Sequence, residues 1–101
     1  MRVDPGKALR QMQQRQEQIM EELAQKTVEV TVGGGTVRIV MTGQQEVKEL
    51  TIAPEVVDPE DVEMLQDLVL AAFNEALERS RDMAEEQMRS LLGGLGIPGL
   101  R

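Results

Sequence analysis

Apolar positions along the chain fall into blocks with two different periods. In the first block Leu9, Met12, Ile19 and Leu23 recur, with Gln16 between them, at the alternating three-four spacing of a coiled-coil seam. Asp4-Pro5 ahead of it is a helix start, an acid at the N-cap and a proline at the first helical position. Ala8 and Met20 widen the stripe, and the remaining positions are dominated by Gln, Glu and Arg. The pattern predicts a helix of about 22 residues, roughly 33 Å long. The rest of a 101-residue chain can scarcely cover that length. Ordinary core packing is one reading of the stripe. Its narrowness and the helix length favour a dimer seam containing Leu9, Met12, Ile19 and Leu23.

The period then changes to two. Thr27 to Val32 alternates strictly, with Val28, Val30 and Val32 on one face, and Gly33-Gly34-Gly35 turns the chain. Thr36 to Thr42 places Val37, Ile39 and Met41 on one face and Arg38 and Thr42 on the other. After a turn at Gly43-Gln44-Gln45, Val47 to Ile52 reads as a third strand with Leu50 and Ile52 on one face; its period slips at Val47, the mark of a bulge. The prediction is an antiparallel meander with one face buried and one wet. The triple glycine resembles a phosphate-binding loop only superficially. It lacks a following Lys-Ser/Thr and leads into a strand, so it is read as a hairpin turn.

Asp58-Pro59 repeats the helix start, and Asp61 and Glu63 suit the positive end of a helix dipole. No breaker follows until Gly93. Val62, Leu65, Leu68, Val69, Ala72, Phe73, Ala76 and Leu77 form a broad face expected to cover the sheet. Beyond Leu77 the stripe thins to Met83, Ala84, Met88 and Leu91, so Met83 and Met88 join the seam candidates. The run is about 34 residues, roughly 50 Å, unless it kinks near Arg79-Ser80-Arg81. Residues 1–92 are read as one α+β domain, and the Gly/Pro-rich residues 93–101 as a flexible tail.

Composition narrows the chemistry. With no Cys there is neither a disulfide nor a thiolate metal site, and with no His the commonest general base and metal ligand are missing. Ser80 and Ser90 have no histidine to activate them. The acids Asp58, Glu60 and Asp61, and the pair Glu85 and Glu86, could hold a hard cation, but dipole pairing and a solvated face explain them better. No catalytic residue, metal or cofactor is expected. No apolar run approaches the roughly 20 residues of a membrane span, and the start lacks a signal-peptide core, so a cytoplasmic protein is expected. Phe73 is the only aromatic residue, and a core this small and aliphatic gains from a partner subunit.

Net charge is −7, on its face unsuited to a nucleic acid. The distribution is uneven. Residues 1–16 carry Arg2, Lys7, Arg10 and Arg15 against Asp4, for +3, whereas residues 44–78 carry Lys48 against ten acids, for −9. Residues 79–101 return to +1.

Four stretches in this order, QMQQRQEQIMEEL, GGGTVRIVMTG, EVKELTIAPEV and EDVEMLQDLVLAAFNEAL, with the ending LLGGLGIPGL, resemble the YbaB/EbfC family of bacterial nucleoid-associated proteins. The resemblance covers nearly the whole chain. It implies an α-β-β-β-α fold, a cytoplasmic, nucleoid-associated homodimer with intertwined subunits and protruding helical arms, and binding of duplex DNA without catalysis. Lys7, Arg10 and Gln14 fall on one face of the first helix, with Arg15 close by, and Arg81 and Arg89 fall roughly on one face of the last. These six are the candidate DNA contacts, directed at phosphates; no helix-turn-helix or zinc finger is visible. The opposing reading makes them solvated-face residues with partners such as Arg81–Glu85 or Glu85–Arg89. A competing function is an acidic dimeric adaptor whose Met12, Met20, Met83 and Met88 adapt to protein partners.

Overall fold

The computed structural model describes residues 4–94. Their order is α1 (Pro5–Gln25), β1 (Thr27–Val32), β2 (Val37–Thr42), β3 (Val47–Ile52), a 3-10 turn (Pro54–Val56) and α2 (Val62–Gly94). This is the α-β-β-β-α order that the alternating periods predict. The strands form one antiparallel sheet in the order β1-β2-β3. The expected flexible tail lies outside the described residues, except for Gly93 and Gly94, which close the last turn of α2. Glycine is the usual helix-ending residue, so two of them extend a helix end more easily than a helix interior.

α1 begins where the sequence places it, because the Asp4 carboxylate accepts the Gly6 N–H at 3.0 Å. α2 begins three residues later than the Asp58-Pro59 pair predicts. Asp58 uses its carboxylate on the Glu60 N–H at 2.9 Å, which closes a local turn. Asp61 then caps the helix through the Met64 N–H at 3.2 Å. From there α2 is continuous through Arg79-Ser80-Arg81.

The core is a single helix laid on a sheet. Val30, Val37, Ile39 and Met41 face Ala72 and Ala76, with Val28, Val32, Leu68, Val69 and Leu77 around them. The two alanines are fully buried, so the small side chains bring the helix axis close to the strands. Phe73 and Val62, grouped with the sheet-covering face in the sequence, instead stand 40% and 50% exposed. Phe73 lies on the flank of α2, outside the row that meets the sheet, and Val62 is the first residue of the helix. Thr42, expected on the wet face with Arg38, is buried. Its hydroxyl accepts the N–H groups of Gln44 and Glu46, and its carbonyl accepts the Ser80 hydroxyl at 2.7 Å. Buried polar groups need such partners.

The slip at Val47 is a bulge. Val40 pairs with Glu49 but Met41 pairs with Val47, so Lys48 is the extra residue. The bulge returns Val47 to the face that carries Leu50 and Ile52, the face turned toward α2. Yet α2 lies over β1 and β2 and not over β3. Arg79, at the opposite flank of α2, reaches the β1 backbone at Glu29. Val47 and Leu50 on β3 stand 41% and 51% exposed, and Leu70 and Phe73 on α2 stand 60% and 40% exposed. The edge strand β3 and the helix α2 thus each keep apolar side chains open to a partner.

Candidate nucleic-acid interface

The molecule measures 72 × 25 × 16 Å, and its radius of gyration of 19.5 Å far exceeds the roughly 13 Å of a compact chain this size. α1 is a main cause. Only Ile19 and Leu23 of its stripe are buried, and both lie in the last two turns. Leu9 and Met12 stand 57% and 59% exposed. Ile19 and Leu23, two of the seam candidates, are thus spent inside the subunit, while the outer half of the helix projects.

That outer half carries Lys7, Arg10, Gln14 and Arg15, all exposed. Arg10 donates to the Gly6 carbonyl at 3.3 Å. Among the described residues none of Lys7, Arg10 and Arg15 has a carboxylate within salt-bridge distance. After the capping Asp4, the next acid in α1 is Glu17. The six candidates divide between two helices, with four on α1 and with Arg81 and Arg89 on α2. Arg81 forms no ion pair among the described residues, so the Arg81–Glu85 pairing is not made. Arg89 pairs with Glu86 at 3.2 Å, one residue from the Glu85 expected, and both side chains are more than 70% exposed. Such a surface pair is worth at most about 1 kcal/mol and yields readily to a stronger anion.

Other basic groups are already engaged. Arg79 pairs with Glu75 at 3.0 Å and reaches the Glu29 carbonyl. Arg38 lies between Glu29 and Glu49 on the outer sheet face, at 2.8 Å from each. Its hydrogen bond and charge hold the Glu29 carboxyl below the ordinary range, and the two acids raise the Arg38 guanidinium further. On the sheet's wet face the one arginine is thus held between two acids, while the arm is cationic and open. Met83 is half-buried on α2 and Met88 is exposed. No group of acids or other ligands suited to a metal ion occurs among the described residues.

The protein is thus a two-layer body with a projecting helix that presents its positive charge on an arm. The chain belongs to the YbaB/EbfC DNA-binding family, whose model matches residues 4–95. It is 55% identical over 95 residues to a nucleoid-associated protein of Acetivibrio thermocellus, covering 93% of this chain and 84% of that one. It is 47% identical over 98 residues to a nucleoid-associated protein of Syntrophobacter fumaroxidans, covering 97% and 89%. The fold matches the crystal structure of an uncharacterized Helicobacter pylori protein with a TM-score of 0.70 at 24% identity, covering 93% of this chain and 98% of that one.

Sequence reading missed that Val47, Leu50, Leu70 and Phe73 stay exposed. It also missed Thr42, Gly43, Gln44 and Gln87, which join α1 to the body.

Proposed function

We propose that this protein is a non-enzymatic, nucleoid-associated homodimer in the cytoplasm that grips double-stranded DNA mainly by its phosphates. The observation that carries this reading is the set of cations on the projecting half of α1 that have no ion pair among the described residues. Lys7, Arg10 and Arg15 supply charge, Gln14 adds a neutral hydrogen-bonding group, and Arg81 and Arg89 add cations from α2.

The acidic body does not defeat this. Counted by helical rise from Leu23, Arg10 stands about 20 Å out along the arm and Lys7 about 24 Å. Both distances exceed the Debye length of about 8 Å at physiological salt, so repulsion from the body is largely screened at the arm. Ser80 has no place in catalysis: it is buried and its hydroxyl is committed to the Thr42 carbonyl.

Dimerisation supplies two arms. Of the six seam candidates, Leu9, Met12, Met83 and Met88 remain open or half-open to a partner. Val47 and Leu50 on β3, with Leu70 and Phe73 on α2, are further exposed apolar side chains, and a second copy packed on β3 would cover both its uncovered face and its free edge.

Titration of a labelled duplex of about 30 bp with purified protein, followed by fluorescence anisotropy at low salt, tests the function. Saturable binding is expected. No binding at low salt, with capture of a defined protein partner instead, would favour the adaptor role of the exposed methionines.

A further inference from the structure

The junction between α1 and the body is built from more contacts than a passive linker needs. Gly43, in the β2–β3 turn, donates its N–H to the carbonyls of Leu23 at 2.8 Å and Lys26 at 3.0 Å. A Cβ at Gly43 would stand 2.8 Å from Leu23 Cδ2 and 2.9 Å from the Leu23 carbonyl oxygen. No side chain fits there without moving the helix. Gln44 donates its side-chain amide to the Met20 carbonyl at 2.6 Å. The turn itself is fixed from the other side. The Thr42 hydroxyl accepts two of the turn's N–H groups, and the Ser80 hydroxyl ties Thr42 to α2. A second strut crosses directly between the helices: Gln87 donates to Glu22 at 2.8 Å and accepts from Lys26 at 3.0 Å.

We propose that this junction is a socket that sets the angle of the α1 arm, with Gly43, Gln44 and Gln87 as positioning residues for DNA binding. The proposal rests on the reading of α1 as the DNA-contacting arm. It gives Ser80 and Thr42, buried polar groups with no part in binding, a role in holding the socket to α2. The lever is long. A tilt of about 10° at the socket displaces Lys7 by about 4 Å over its roughly 24 Å arm. That is about the 3.4 Å axial spacing of successive phosphates on one strand. A small error at Gly43 therefore takes the arm's cations out of register with the backbone.

The chain has no cysteine, so Gln11→Cys on α1 and Glu78→Cys on α2, both exposed, take spin labels selectively. Doubly labelled subunits diluted into excess unlabelled protein report the distance between arm and body within one subunit. The expected result is a narrow distribution in the parent protein. Gly43→Ala shifts or broadens it by about 3 Å or more and weakens duplex binding about tenfold, although every arm cation is retained. Gln44→Ala combined with Gln87→Ala, which removes all three side-chain bonds without adding a clash, moves both readouts the same way, and carries the test if Gly43→Ala does not fold. An unchanged distribution in the folded variants would overturn the socket, and so would a displaced arm with unchanged affinity. A parent protein that ignores duplex DNA would overturn the DNA reading alone. The distance measurement would still decide whether the socket sets the arm.

Discussion

The Arg10→Glu, Arg15→Glu variant loses at least about a hundredfold in affinity for duplex DNA at about 50 mM salt, and it remains a folded dimer. Each substitution swings one exposed position by two charge units, and two subunits make four such positions. A charge pair at contact distance in water is worth about 1 kcal/mol, so four reversals together amount to several. A factor of a hundred needs about 2.7 kcal/mol. The fold is spared because both side chains are exposed on the projecting half of α1 and neither forms an ion pair among the described residues. Anisotropy titration alongside circular dichroism checks both halves of the expectation. Unchanged affinity would remove α1 from the binding surface.

The second large effect is on assembly. Leu50→Glu combined with Phe73→Glu yields a monomer, so the mass in solution falls from twice the 11.2 kDa subunit to one. Leu50 is 51% and Phe73 40% exposed in the subunit, so neither change cuts into the core of Val30, Ile39, Met41 and Ala72. In a dimer packed through β3 and α2 the same carboxylates would be desolvated, at a cost of several kcal/mol each. DNA affinity falls with assembly, because loss of the second arm removes a bivalent gain of about 10² to 10⁴. Light scattering after size exclusion reads the mass. A variant that stays dimeric would return the interface to Leu9, Met12, Met83 and Met88.

Much of the fold was legible in the sequence because it rests on local periodicity. The two-residue alternation of Val28, Val30 and Val32, and of Val37, Ile39 and Met41, fixed the sheet and its buried face. The slip at Val47 announced the bulge at Lys48. What misled were residues whose role depends on where an element sits across its neighbour. Phe73 belongs to the apolar face of α2 by wheel position. α2 lies toward β1, and that leaves Phe73 at the open side. Thr42 follows the strand's alternation in sequence, but the turn after it folds back onto its hydroxyl. The Asp-Pro pair at Asp58 is as good a cap signal as the one at Asp4. It lost to Asp61, three residues on, because Asp58 is engaged in a turn of its own. Of the site, the cations and their separation from the acidic middle were legible in the sequence. Which of them pair was not: Arg89 meets Glu86 and not Glu85, and Arg81 has no ion pair among the described residues.

The salt dependence of duplex binding in the parent protein and in Lys7→Gln tests the central claim most directly. Log affinity should fall linearly with log salt, with a slope of about −0.9 for each phosphate neutralised. Loss of Lys7 from both arms should make that slope shallower by about 1.8, with affinity reduced alike across unrelated sequences. The same slope in both proteins, or a parent slope near zero, would contradict phosphate gripping by the arms.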